Sequence, residues 1–107
     1  MQSRLEQLFE LHREDPNDPF IRYAIALEYQ SRQDYAQALA WYEELRRIAP
    51  DYVPTYYMLA SVYRALHQLD AARAIYYHGI DAARQAGDTH ALSELSAALE
   101  ELDEGVE

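Results

Sequence analysis

The feature that most constrains this chain is that it repeats itself every 34 residues. Ile25 is answered one period later by Leu59, Ala26 by Ala60, Tyr29 by Tyr63, Ala38 by Ala72 and Tyr42 by Tyr76, and Tyr23 and Tyr57 stand at the same interval. In the second copy, the stretch Val53 to Arg84, the residues Tyr56, Leu59, Ala60 and Tyr63 step by threes and fours and so share one face of an α-helix. Leu69, Ala72, Ile75, Tyr76 and Gly79 do the same on a second helix, across a short turn at His67-Gln68. The two stripes predict an antiparallel hairpin. Small Ala60 and Ala72 admit close approach, and the bulky Tyr63 and Tyr76 fill the space beside it. A lone hairpin cannot bury its apolar face, whereas stacked copies can.

With this pattern the chain resembles the tetratricopeptide repeat (TPR) family, whose W-x₂-L-G-x₂-Y…A-x₃-F…P signature has the same period. Pro50 matches the terminal proline; Arg22 stands where the family prefers Trp, Gly79 where it prefers Ala, and Arg84 where a second terminal proline would fall. The resemblance implies an all-α fold, a right-handed α-α superhelix (TPR-like solenoid) of about six antiparallel helices. One domain over 1–107 is expected, because a chain of 107 residues supports one modest core. Its divisions are a half-repeat helix over 1–16, repeats over 19–52 and 53–86, a capping helix over 88–102 and a frayed tail over 103–107.

Local signals fit this division. Leu5, Leu8, Phe9, Leu11 and His12 have helical spacing behind Ser3, a suitable N-cap, and Pro16 lies one period before Pro50. The first helix is therefore in register with the second helix of each repeat. Asp18 caps a helix whose first residue is Pro19, Asp34 caps the next, and Asp51 is expected to cap the one that follows Pro54. Gly87-Asp88 ends one helix and begins another. In that last helix Leu92, Leu95, Leu99 and Leu102 face one side and Ser93, Glu94, Glu100 and Glu101 the other.

Composition excludes several functions. No run of eighteen apolar residues exists, and the opening Met1-Gln2-Ser3-Arg4 leads into a mixed polar helix rather than a signal sequence, so a cytoplasmic location and no membrane association are expected. There is no Cys for disulfide or thiolate chemistry. Nineteen acidic residues oppose nine basic ones, a net charge of −10, and every basic residue is Arg. Such an acidic, Lys-free composition suits either a halophilic, salt-accumulating host or a GC-rich genome. It argues against nucleic acid as a partner, since a negative surface repels phosphate.

Catalysis has no support in the sequence. His12, His67, His78 and His90 are scattered, and no pair has a metal-ligand spacing; His90 and Glu94 form an i, i+4 pair of the kind that exposed helices carry. Glu43-Glu44 and Glu100-Glu101 are adjacent and point apart, and no Ser stands beside a base. The expectation is no enzyme, no cofactor and no metal.

Of the ten tyrosines, Tyr29, Tyr42, Tyr63 and Tyr76 fall on packing faces and read as scaffold. Tyr23 and Tyr57 lie six residues before the packing tyrosines, rotated away from them. The resemblance implies that this second face lines a concave peptide-binding groove, formed by Phe20, Tyr23, Ala24, Leu27 and Gln30 from the first repeat and Pro54, Tyr57, Met58, Ser61, Arg64 and Ala65 from the second. Alternatively, Tyr23 and Tyr57 pack on each other or on the last helix. Family members that grip chaperone carboxylate tails use groove Lys and Asn, where Tyr23, Leu27 and Met58 stand here. The expected function is a protein-protein interaction module that binds a protein or peptide partner. The alternative is a self-associating scaffold whose groove is buried in a homodimer.

Overall fold

The computed structural model describes residues 1–105, which form six α-helices. These are α1 (Arg4–Glu14), α2 (Pro19–Ser31), α3 (Tyr35–Ile48), α4 (Pro54–Ala65), α5 (Leu69–Ala86) and α6 (Thr89–Asp103). Each packs on its successor, while α2 also touches α4 and α4 touches α6. The result is two layers, with α2, α4 and α6 in one and α1, α3 and α5 in the other. Its extents are 45 × 29 × 20 Å. This is an all-α helical repeat.

Helix starts follow the short polar side chains. Ser3 accepts from the Glu6 amide while the Glu6 carboxylate accepts from the Ser3 amide, a complete capping box. Asp18, Asp34 and Asp88 accept from the amides of Phe20, Gln37 and Ala91. Asp51 does not cap α4. The N-cap there is Val53, with no side-chain hydrogen bond. The chain instead winds through tight turns in which the Thr55 amide donates to Tyr52 and the Tyr56 amide to Val53, leaving Asp51 exposed and two residues too early. At the other end of the hairpin Gly87 adopts φ 68°, the left-handed conformation that ends α5.

The sequence period reappears as a period in hydrogen bonds. Arg22 Nε donates to the Pro16 carbonyl at 3.0 Å, and Tyr56, one period later, donates its hydroxyl to the Pro50 carbonyl. Arg22 therefore anchors the preceding turn as Tyr56 does, with a different donor. Between the helices of each pair, Gln33 (φ 61°) and His67 (φ 58°) take the same left-handed turn. The amide of Asp34 then reaches the Tyr29 carbonyl at 3.0 Å and that of Gln68 the Tyr63 carbonyl at 2.9 Å. A non-Gly residue in this conformation costs about 1–2 kcal/mol, which the packing of the two helices offsets.

Ala26, Ala38, Ala60 and Ala72 are fully buried where the helices approach, and Tyr42 and Tyr76 are enclosed beside them. Tyr29 and Tyr63 are half-buried against the same core. Burial, with the Glu43 carboxylate that accepts from its hydroxyl, pushes the Tyr63 phenol up to about 12. On α6, Leu95, Leu99 and Leu102 are buried and Leu92 partly so. Each such side chain contributes roughly 1.5–3 kcal/mol of transfer free energy. Asp103, expected in a frayed tail, closes α6 and accepts from Arg73 Nε at 2.7 Å. The Glu104 and Gly105 amides donate to the Glu100 and Leu102 carbonyls at 3.0 and 3.1 Å, and the part of that expectation at residues 106–107 lies outside the described residues.

Helix α1 docks through aromatic edges. Trp41 of α3 receives Phe9 at 5.6 Å and His12 at 5.3 Å between ring centroids, both edge-on. Leu8 is the buried anchor of α1, whereas Leu11, expected on the same stripe, is 45% exposed. That outcome follows from one-sided docking of α1, which leaves the flank of its apolar stripe uncovered.

Candidate functional site

The layer of α2, α4 and α6 carries a recess of about 360 Å³. Tyr23 forms its α2 side, and Val53, Pro54, Tyr57 and Met58 its α4 side. The third wall comes from α6, through Asp88, His90, Ala91, Glu94 and Leu95. Beyond Tyr57, which borders both, a second and shallower recess holds Ser61, Arg64, Ala65, His67, Tyr76 and Glu101. Helix α6 therefore does not fill the first recess; it walls it.

Of the sequence-predicted groove residues, Tyr23, Tyr57 and Met58 surround the first recess, and Ser61 and Arg64 join Tyr57 at the second. Phe20 and Leu27 share the helical stripe of Tyr23 and are 63% and 38% exposed, while Tyr57 is 40% exposed. Tyr23 and Tyr57 are not equally free. Tyr23 packs on Tyr42 at 6.1 Å and on Tyr52 at 5.9 Å between centroids. Its phenol is raised by burial, then by Tyr52 and by the Glu94 carboxylate across the recess.

The polar residues among those expected in the groove are tied into the scaffold. The buried Tyr42 hydroxyl donates to Gln30 Oε1 at 2.8 Å, Gln30 Nε2 donates to Ser61 Oγ at 3.0 Å, and Ser61 Oγ donates to the Met58 carbonyl at 2.6 Å. This relay couples the first repeat to the second. Arg64 occupies the Gln30 position one period on and meets the equivalent tyrosine, with the donor reversed: its guanidinium donates to the Tyr76 hydroxyl at 3.3 Å. The same guanidinium reaches Glu101 of α6 at 3.4 Å. Burial raises the phenols of Tyr42 and Tyr76 far above any physiological pH, so both stay neutral hydrogen-bonding groups.

The sequence suggests for α6 a capping role or a packing surface for Tyr23 and Tyr57, and Asp88, His90, Ala91, Glu94, Leu95 and Glu101 are not among the expected groove residues. The signal that finds half of them is the period itself. Pro54, Tyr57 and Ser61 plus 34 give Asp88, Ala91 and Leu95, all in the third wall. Among the described residues no group of three His, Cys, Asp or Glu is placed to hold a metal ion. Nor is any described helix long and apolar enough to cross a membrane.

Comparison with known proteins decides the family. A sequence profile described as tetratricopeptide repeat matches residues 29–99, about two thirds of the chain. The chain belongs to the tetratricopeptide repeat family. The solution structure of a tetratricopeptide repeat domain protein from Salinibacter ruber is 45% identical, with a TM-score of 0.81 over 87% of this chain and 93% of that one. A crystal structure of a tetratricopeptide repeat domain protein from the same organism is 44% identical, with a TM-score of 0.78 over 84% and 100%. A Bordetella parapertussis protein shares the fold at 21% identity, with a TM-score of 0.85 over 98% and 91%. No curated protein matches the chain. Tetratricopeptide repeat domains are protein-protein interaction modules and are in general non-catalytic.

Proposed function

We propose that this tetratricopeptide repeat domain binds a segment of a partner protein along the face formed by α2, α4 and α6. The observation that carries the reading is the alignment of three exposed apolar side chains, Phe20, Leu27 and Tyr57, beside a recess with an apolar floor. Grouped aromatic and aliphatic side chains of this kind supply contact area to a partner chain. Tyrosine does so at low entropic cost, since only two torsions are fixed. Gln30, Ser61 and Arg64 contribute by holding the groove wall, because their polar atoms already serve Tyr42, Met58, Tyr76 and Glu101.

A homodimer that buries this face is the alternative, and electrostatics weighs against it. Each copy carries a net charge of −10, and an isologous contact would set the carboxylates of one groove near those of the other. The test is a comparison of wild type with Phe20→Ala/Leu27→Ala/Tyr57→Ala, exposed positions where alanine also favours the helix. The variant is expected to melt near the wild-type temperature and to lose, by at least tenfold in affinity, a partner captured from the native lysate and then purified. Equal affinity of the two proteins for that partner would move recognition to another surface. A wild type that sediments as a dimer, with the variant monomeric, would establish the second reading.

A further inference from the structure

The chemistry of the recess selects among protein partners, given the groove reading above. Its lining holds two carboxylates, Asp88 and Glu94, one imidazole, His90, whose Nε2 lies 3.7 Å from Glu94 Oε2, and neither Lys nor Arg. The neighbouring recess adds one further carboxylate, Glu101, and one guanidinium, Arg64, which are already paired with each other. Three helices of this layer begin along one edge, and a helix start ordinarily attracts anions. Here that attraction is largely spent. Asp18 accepts from an amide at the start of α2 and Asp88 from one at the start of α6, and at α4, which has no side-chain cap, the Thr55 and Tyr56 amides donate to the Tyr52 and Val53 carbonyls. The field of a chain with net charge −10 reinforces the local sign.

The remaining surface fits the rest of a long cationic side chain. Tyr23 and Tyr57 flank the recess with aromatic rings, and Val53, Met58 and Leu95 contribute apolar surface to it. Arginine and lysine bury their methylene stems on apolar surface while the charged head seeks a carboxylate or a ring face. A second copy of this chain and an acidic tail both bring the wrong charge.

We infer that the occupant is a basic segment of a partner protein, with an arginine or lysine side chain laid between Tyr23 and Tyr57 towards Asp88 and Glu94, and a neighbouring aliphatic residue on Met58. The positive side chain adds a full charge opposite two carboxylates whose described contacts are the Ala91 amide, for Asp88, and the His90 imidazole at 3.7 Å, for Glu94. Its aliphatic neighbour uses the exposed apolar stripe that continues along α2 to Phe20 and Leu27.

The test is selection from a phage-displayed library of random peptides on the full chain. Titrations with fluorescein-labelled synthetic copies of the strongest binders then follow, in 50 and 300 mM KCl. Three variants accompany wild type. Asp88→Asn/Glu94→Gln removes the two charges while asparagine keeps the helix cap. Tyr57→Ala removes the ring, and Glu44→Gln/Asp81→Asn makes the same change in net charge on the outer helices. Selected peptides are expected to pair Arg or Lys with Leu, Ile or Met. Binding should weaken about fivefold in the Asp88/Glu94 variant, fall with salt, and change little in the outer-helix control.

Neutral or acidic peptides that depend on Tyr57 but not on Asp88 and Glu94 would overturn the basic-segment inference and leave the groove reading standing. Basic peptides equally weakened by the outer-helix control would also overturn it, because the diffuse field would then suffice. No selection above blank beads, or only self-association, would overturn both.

Discussion

Gly79 of α5 lies so close to Tyr56 of α4 that a Cβ built on the glycine would fall 2.5 Å from the Cβ of the tyrosine. The same added atom would stand 3.1 Å from Leu95 Cδ1 of α6. Gly79 thus sits where three helices meet, and its lack of a side chain sets how near they come. The family preference for alanine is unusable here. Gly79→Ala is expected to lower stability by about 1–3 kcal/mol through overpacking, more than the roughly 1 kcal/mol that alanine gains in helix propensity. Thermal unfolding checks this, and a higher melting temperature in the variant would refute it.

The relay from Tyr42 through Gln30 to Ser61 predicts a non-additive pair. Gln30→Ala strands a hydroxyl on a side chain with no exposed surface and is expected to cost about 1–3 kcal/mol. In the Tyr42→Phe background the same change should cost distinctly less, since no hydroxyl remains to be stranded. A double-mutant cycle in urea measures the difference. Additive effects would mean that the relay contributes nothing to coupling the repeats.

Acid should loosen the N-terminal helix. Burial, and then the nearby Arg22 guanidinium, hold the His12 imidazole below its ordinary value of 6.5, and its buried Nδ1 has no hydrogen-bond partner among the described residues. The unfolded chain therefore binds this proton more readily than the folded one. His12 contributes stability fully above pH 6.5, and that contribution is lost as pH falls from there through the depressed folded value. Hydrogen exchange of α1 at pH 7.5 and pH 5 should show the loss, and His12→Leu should abolish the difference. An unchanged difference in that variant would assign the effect to other groups.

Salt should raise the melting temperature. Nineteen carboxylates against nine guanidinium groups repel one another in the compact state more than the ion pairs attract. Added KCl screens the exposed charges, over a length of about 8 Å at physiological strength. A melting temperature that stays flat between low and molar KCl would dismiss self-repulsion as a force in this fold, and the halophilic reading of its composition with it.

The fold was legible because one period carried it. Ala26, Ala38, Ala60 and Ala72 could be named as close-approach positions from spacing alone, since a helix converts threes and fours in sequence into one face. Side-chain caps were readable for the same local reason, except at Asp51, where backbone turns satisfied the amides first. The left-handed turns at Gln33 and His67 were hidden, because neither is the glycine or asparagine that advertises such a conformation. Helical geometry put Phe20, Tyr23 and Leu27 on one face, and the resemblance to the family proposed that face as a groove. The engagement of Gln30, Ser61 and Arg64 in bonds to the scaffold depends on distances between elements that no spacing in one helix reveals.

Neighbour-only packing also sets how this chain would find its structure. Among the described residues helices touch the next in line or the next but one, so no contact between helices bridges more than one intervening helix. Loop-closure entropy is correspondingly small, and helical proteins of such local topology fold within microseconds to milliseconds. The pair α4 and α5, enclosed on both sides and rich in fully buried residues, is the natural nucleus. From there structure can spread outward in both directions, one helix at a time, to α1 at one end and α6 at the other.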